Sequence, residues 1–327
     1  MYVMNYNIKI GDYTLKTLDS VAIEKSVNNL ADTAVIVIPY TNINQPILVE
    51  DKIKEGDKVE ISLGYNNNLS IEFKGYLNAI TTDSTAIKLE CEDGLYMFKK
   101  SLKDKEFKSV TLKDLLNAVV TEVNETNKEN GTPTNYTVTC DYEFTWNCFV
   151  FFQTTAFDVL KKVQDETKAN IYFKDEVLHI HPQYTEIGND KPIIYDFSQN
   201  VEKSDLKYIP LKNKKIEVVV NATMPDGKVT KATYETTGGE KKEVNISTTD
   251  TVSMKKRAEQ EYNLFAYEGY EGGFTTWLIP YCDPAYKIEL RGNQHSVKNG
   301  TYYVISVNVN FSSSGGERVI KIGRRLG

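Results

Sequence analysis

The sequence predicts a mainly β protein with an α+β insert: two similar β regions flanking a small mixed domain. Short period-2 runs bounded by turn residues fill the first hundred positions and return in the last third. Between them the apolar spacing changes to that of capped helices. The two β regions also echo each other, Lys58-Val59-Glu60-Ile61 in one and Lys287-Ile288-Glu289-Leu290 in the other. The aromatic content of 2 Trp, 21 Tyr and 13 Phe leans the same way, because aromatic side chains fit a pleated, half-buried surface.

The strands and helices follow in order. Val35-Ile36-Val37-Ile38 reads as a buried strand stopped by Pro39. Glu55-Gly56-Asp57 is a turn, and Lys58 to Gly64 then alternates polar and apolar. Ile71 to Tyr76 and Ile87 to Cys91 alternate in the same way. The basic stretch Lys99, Lys100, Lys103, Lys105 and Lys108, diluted by Asp104 and Glu106, reads as a solvated connector. Thr111 with Asp114 three positions on caps a helix whose stripe is Leu112, Leu115, Leu116, Val119, Val120 and Val123, ended by Asn130-Gly131-Thr132-Pro133. Thr155 with Asp158 caps a second, with Ala156, Val159, Leu160 and Val163 on one face. Ile171-Tyr172-Phe173 and Val177 to Ile180 form a hairpin around Lys174-Asp175-Glu176. Lys215 to Val220 and Lys228 to Tyr234 are strands around Met224-Pro225-Asp226-Gly227. An amphipathic helix from Val252 to Tyr267 carries Met254, Ala258, Tyr262 and Phe265 and is closed by Gly272-Gly273. Strands resume at Lys287 to Leu290, Tyr302 to Ile305 and Arg318 to Ile322. The resulting division is 1–108, a first β domain; 109–194, the α+β insert; and 195–327, a second β domain with an inserted helix.

The echo extends beyond one strand. Each Lys-led strand follows a turn containing Asp57 or Asp283-Pro284 and precedes a glycine-opened strand, at Gly75-Tyr76-Leu77 and at Gly300-Thr301-Tyr302. A third strand closes each unit, Ile87-Lys88-Leu89 and Val319-Ile320-Lys321-Ile322.

Composition narrows the function. A chain of 327 residues, 40% hydrophobic and 26% charged, is ordinary for a globular protein. Its net charge of −6, with few Arg among 39 basic residues, argues against a nucleic-acid-binding surface, which works by neutralising phosphates. No apolar run is longer than that of Cys148 to Phe152, far short of the ~20 residues a membrane helix needs, so no membrane insertion is expected. The start shows no basic region followed by an apolar one, so no secretory leader is expected, and Cys91, Cys140, Cys148 and Cys282 are read as reduced and mostly buried.

The chain is poor in catalytic equipment. His179 and His181 share one face of a strand, but no H-E-x-x-H motif or Cys/His cluster supplies the further ligands a metal site needs, and a polar strand face is the preferred reading. His295 stands alone. Gly238-Gly239, Gly272-Gly273 and Gly315-Gly316 form no phosphate loop and no nucleophile elbow. The acidic groups Glu90/Glu92/Asp93, Asp141/Glu143 and Glu268/Glu271 arise by chance in an acidic protein, and Tyr262, Phe265, Tyr267 and Tyr270 are read as core and interface instead of a sugar platform. No catalytic, cofactor-binding or metal-binding residue is assigned, no cofactor is expected, and the chain is read as not an enzyme.

Several segments together resemble a known family. Val59 to Tyr65, Glu72-Phe73-Lys74-Gly75-Tyr76-Leu77 and Ile87 to Tyr96 are similar to the N-terminal barrel of phage tail baseplate hub proteins, which include the late control D type hubs and the hub portion of type VI secretion spikes. Thr154 to Leu160, leading into Ala169 to Asp175, resembles that family's helix-plus-hairpin insert, and Gly300 to Val307 with Gly315 to Gly323 resembles the closing strands of its second barrel. The resemblance spans nearly the whole chain, and the order of motifs is more specific than any one of them.

The resemblance implies two tube-like β-barrel domains flanking the insert, in a homotrimeric, pseudo-hexameric ring that adapts a six-fold tail tube to a three-fold spike and leaves a channel for DNA. Implied partners are the tail tube protein, a spike or tape-measure protein and other baseplate proteins. The implied location is the virion tail baseplate, assembled in the bacterial host cytoplasm. An acidic lumen would repel DNA instead of binding it, in keeping with the net charge. Type VI spikes continue into a Gly-rich β-helix and some hubs carry a lysozyme domain; this chain ends soon after the second barrel, so a phage or prophage hub is expected, with spike and lytic enzyme on other polypeptides. Two alternatives remain: a carbohydrate- or receptor-binding tail module, and a glycan-cleaving enzyme.

Overall fold

A computed structural model describes residues 2–39, 41–42, 45–46, 52–83, 85–185, 188–210, 216–224, 226–235, 238–265, 267–293 and 296–326. Leaving two- and three-residue strands aside, the chain opens with β1 (Met4–Ile10), β2 (Ser20–Ser26), β3 (Thr33–Pro39), β4 (Lys58–Tyr65), β5 (Asn68–Thr82) and β6 (Ala86–Glu92). The middle contains β7 (Lys105–Thr111), α1 (Leu112–Glu129), β8 (Thr137–Cys140), β9 (Thr145–Phe151), α2 (Ala156–Thr167), β10 (Asn170–Lys174) and β11 (Val177–His181). Then come β12 (Ile193–Asp196), β13 (Ile216–Thr223), β14 (Val229–Tyr234), β15 (Glu240–Ile246), α3 (Thr251–Phe265), β16 (Gly269–Trp277), β17 (Lys287–Arg291), β18 (Gly300–Ser312) and β19 (Gly315–Leu326). The fold is mainly β with an α+β part, as expected.

Contacts group the chain into two compact units, one of Met1–Tyr96, Glu186–Lys207 and Tyr270–Gly327, the other of Met97–Thr185 and Tyr208–Gly269. Both ends of the chain therefore share a unit. Residues 208–269, counted with the last third in the sequence reading, group with residues 97–185.

The first unit is built on one continuous sheet in the order β16-β19-β18-β2-β3-β6-β5-β4-β1, with β17 also paired to β18 and β12 to β17. The sequence echo is a structural repeat. In the first half, neighbours run β3-β6-β5-β4-β1; in the second they run β16-β19-β18-β17-β12. The Lys-led strands β4 and β17 hold the same place, each antiparallel to the long strand that follows it, β5 or β18. One difference is that β1 lies antiparallel to β4 whereas β12 lies parallel to β17. The halves join where β18 pairs with β2, Val309 opposite Ile23. The two halves run on as one sheet.

Period-2 burial explains why one face is dry. Ile36 and Ile38 of β3, Ile61 and Leu63 of β4, Ile87 and Leu89 of β6, Val307 and Val309 of β18, and Ile320 and Ile322 of β19 all belong to a single core cluster spanning both halves. The long strand β5 bends where its register with β6 shifts between Leu77 and Ala79. Gly75 sits just before that bend, where a Cβ would lie 2.0 Å from the Glu92 carbonyl oxygen, so only glycine permits the approach.

In the second unit, β8, β11 and β10 form one small sheet, β14, β13 and β15 another, and β7 pairs with β9. α1 buries all six residues of its predicted stripe. Thr111 accepts the Asp114 N–H at 3.2 Å, and Thr155 accepts that of Asp158 at 3.1 Å. Thr155→Ala is expected to cost about 1 kcal/mol, read from urea unfolding, with Thr155→Ser nearly neutral; a loss under ~0.3 kcal/mol would show that the cap contributes nothing.

Several elements differ from expectation. The basic connector continues into β7, whose Phe107 lies opposite Phe149 in the ladder and sets its ring edge-on to Phe151 at 5.0 Å. β15, Glu-Lys-Lys-Glu-Val-Asn-Ile, gave no strand signal; it runs parallel to β13, which supplies the apolar residues. The inserted helix ends at Phe265, and Gly272-Gly273 lie inside β16 instead of closing it, with a Cβ at Gly272 meeting the Asp205 carbonyl at 3.0 Å. On α3, Met254 and Ala258 are buried as predicted, but Arg257, Gln260 and Glu261 are buried beside them while Phe265 is exposed. Lys215 and Pro225, part of the predicted hairpin, lie outside the described residues.

Candidate functional site

The most unusual chemistry in the first unit is a buried charge cluster at the junction of its two halves. Arg318 of β19 is fully buried, and so is Glu72 of β5, 246 positions away. The guanidinium grips the carboxylate in two places, Nη2 to Oε1 at 2.7 Å and Nη1 to Oε2 at 3.2 Å. It also donates to the carbonyls of Leu278 at 2.9 Å and Cys282 at 3.0 Å, in the segment between β16 and β17. Lys25 of β2 pairs with Asp283, again across the two halves. The Tyr281 ring lies beside both cations, 5.4 Å from Lys25 Nζ and 5.2 Å from Arg318 Cζ.

Burial opposes the charge on both bases, and the neighbouring carboxylates more than offset it. Glu72 raises Arg318 above its ordinary range, and Asp283 does the same for Lys25. Two cations balanced by two anions clamp strands of the two halves together. The sequence held a signal for half of it. Lys25 stands in phase with buried Val21 and Ile23, and Arg318 with buried Ile320 and Ile322, which marks a charge pointing into a core. Glu72 gave none: its neighbour Phe73 is buried too, so the strict alternation fails there.

The two strand histidines do share a face. Their ring centroids are 5.7 Å apart, and Tyr172 from the neighbouring strand stacks on His179 at 5.0 Å. Asp141 Oδ1 lies 2.7 Å from His181 Nδ1. Among the described residues, no group of three or more His, Cys, Asp or Glu is arranged to hold a metal ion. His295 lies outside them. Burial, with His181 adding to it, pushes His179 down to about 4. A histidine that folding keeps neutral contributes stability above its unfolded value near 6.5, and that stability is lost as pH falls toward 4. An NMR titration should find His179 titrating well below 5.5; a value of 6 or above would contradict the stacked, buried arrangement.

The remaining groups have local roles. Asp93 accepts the backbone N–H of Leu95 at 2.9 Å and of Asp32 at 3.1 Å; burial and then the Asp32 charge hold its carboxyl well above the usual range. Glu143 pairs with Lys256, and Glu268 accepts the Tyr208 hydroxyl. Of the four cysteines, all free, Cys91 and Cys282 are buried with thiols pushed up to about 12, Cys140 is half-buried and Cys148 exposed.

No protein-family model matches the chain, and no curated protein sequence matches it. Solved structures do. A tail protein from Neisseria meningitidis MC58 superposes with a TM-score of 0.70 at 12% identity, over 98% of this chain and 96% of its own. The 43 kDa tail protein of prophage MuSo2 from Shewanella oneidensis gives 0.67 at 14% identity, over 98% of each chain. An Escherichia coli component of the type VI secretion system, itself similar in structure to T4 tail proteins gp27 and gp5, gives 0.61 at 6% identity, over 98% of this chain and 77% of that one. The likeness shows the fold: the chain folds along its length as these tail and secretion-system proteins do, in line with the resemblance found in its motifs.

Proposed function

We propose that the chain is a structural hub of a phage or prophage tail baseplate. Three copies form a ring in which the two β halves of each act as tube-like lobes. The ring adapts a six-fold tail tube to a three-fold spike and leaves a channel through which DNA passes without being held. The observation that carries this reading is the repeated strand order within one unit, fused through β2 and β18 over a shared core. A chain with two like halves, turned about a three-fold axis, offers six like positions. The tail-protein fold supports the reading, and the charge of −6 suits a conduit that must not retain a polyanion. The role is mechanical and needs no cofactor. The ring forms in the bacterial host cytoplasm and is carried in the virion tail.

Sedimentation of the purified chain tests it: the expected particle has three times the 37.2 kDa chain mass, with a central channel in negative-stain images. A strict monomer at high concentration would overturn the trimer.

One observation favours the second reading, a carbohydrate-binding tail module. Tyr2 and Trp277 are 59% and 39% exposed, and the Tyr2 ring lies 5.4 Å from Tyr65 and 6.0 Å from Trp277. A glycan array separates the two: binding lost on Trp277→Ala supports the module, and no binding supports the hub.

A further inference from the structure

Two buried ring nitrogens on one strand of the second unit have no hydrogen-bond partner. They are His179 Nδ1 and His181 Nε2, both shut off from solvent. His181 as a whole is only 2% exposed, so its nitrogen lies well inside the fold. A buried polar atom left without a partner is costly and uncommon, and two on the same face of β11 point to a shared cause.

The surroundings fix which atoms are free. Asp141 Oδ1 lies 2.7 Å from His181 Nδ1, and a carboxylate only accepts, so Nδ1 carries the hydrogen and donates it. In the neutral ring Nε2 is then left with a lone pair and nothing to receive it. A carboxylate behind one ring nitrogen and a bare lone pair on the other is how metal-binding histidines are held. Tyr172 fixes the second ring by stacking on His179, with the two planes 9° apart.

The spacing suits a shared ion. An ion held at about 2.1 Å by a ring nitrogen lies about 3.2 Å from that ring's centroid, so two rings reach one ion up to a separation of about 6.4 Å. The two imidazole centroids are 5.7 Å apart. Asn170, 1% exposed, stands opposite His181 in the ladder. Of the charges beside the pair, Asp141 and Asp175 favour a cation and Lys174 opposes one.

We infer that His179 and His181 are ligands of a divalent transition-metal ion, each giving one ring nitrogen, with Asp141 positioning His181 from behind. Among the described residues no third His, Cys, Asp or Glu joins them. Oxygens of water and of the Asn170 carboxamide complete the shell, a mixed nitrogen and oxygen set that suits Cu²⁺, Ni²⁺ or Zn²⁺. Such an ion binds the folded second unit and not the unfolded chain, so it stabilises the fold. The inference goes beyond the hub reading and does not depend on it.

Equilibrium dialysis of the untagged full chain against Ni²⁺ alone, which leaves the free thiols unoxidised, tests it. One ion per chain is expected, together with a higher melting temperature. The paramagnetic ion should also broaden the His179 and His181 ring signals in NMR spectra. His179→Phe and His181→Phe should each weaken binding roughly tenfold or more, and Asp141→Asn about tenfold. Cys148→Ser, which removes the exposed thiol, should leave binding unchanged. The broadening is read on the unaltered chain, so it decides the matter even where a variant fails to fold. No binding at millimolar Ni²⁺, broadening that spares both rings, undiminished binding by the folded histidine variants, or loss of binding on Cys148→Ser would overturn the site.

Discussion

Arg318→Ala is expected to lower the stability of the first unit by about 3–5 kcal/mol, because removing the guanidinium strands Glu72 in the core without a counter-charge. The carbonyls of Leu278 and Cys282 lose their donors in the same step. Urea unfolding, with hydrogen exchange of β5 and β19 amides to locate the loss, measures it. The controls separate charge from shape. Arg318→Lys keeps a cation but not the two-point grip, and should recover only part of the loss. The double variant Glu72→Leu, Arg318→Met removes both charges and should be much closer to the parent than Arg318→Ala. A cost below ~1 kcal/mol for Arg318→Ala would show that the clamp does not hold the halves. If the two halves must keep one spacing for three chains to close a ring, Arg318→Ala should also shift sedimentation toward the monomer at concentrations where the double variant still associates.

Trp146→Ala should cost the second unit about 3–5 kcal/mol. Trp146 is fully buried in a run of aromatic contacts, 4.6 Å from Phe144 and 5.3 Å from Phe149 by ring centroids, and Phe149 continues to Phe151. Its indole N–H donates to Glu166 at 2.5 Å, and the Ser247 hydroxyl donates to the same carboxylate at 2.7 Å. Trp146→Phe fills most of the space without the donor, so it should cost clearly less than the Ala variant and thereby separate packing from hydrogen bonding. Hydrogen exchange in α1 and α2 reports the effect. With only 2 Trp in the chain, one in each unit, the fluorescence change on unfolding of Trp277→Phe isolates Trp146. Equal losses for the Ala and Phe variants would mean that the hydrogen bond, not the ring, carries the stability.

What could be read directly was whatever depends on neighbours in sequence. α1 and α2 begin at Thr111 and Thr155 because a hydroxyl satisfies an N–H three positions on, and their buried stripes follow from 3.6-residue spacing. The hairpin β10-β11 turns at Asp175 and Glu176, both with positive φ, between two runs of alternating residues. β7 and β15 were hidden because Lys and Glu dominate them, and their strand state comes from the ladders they join, β9 and β13. The charge clamp was half-visible. Lys25 and Arg318 were out of character in apolar strands, but their partners lie 258 and 246 positions away and nothing local points to them.

The amino-acid order alone determined that two β stretches share a motif and that helices intervene, since periodicity, caps and repeats act over a few residues. Only the folded chain decided that both stretches build one sheet over one core, that β18 meets β2 there, and that four buried charges meet at the junction. Those outcomes depend on strands separated by most of the chain pairing face to face, and on ionised groups that are tolerable in a dry interior only once their opposite charges have been brought alongside.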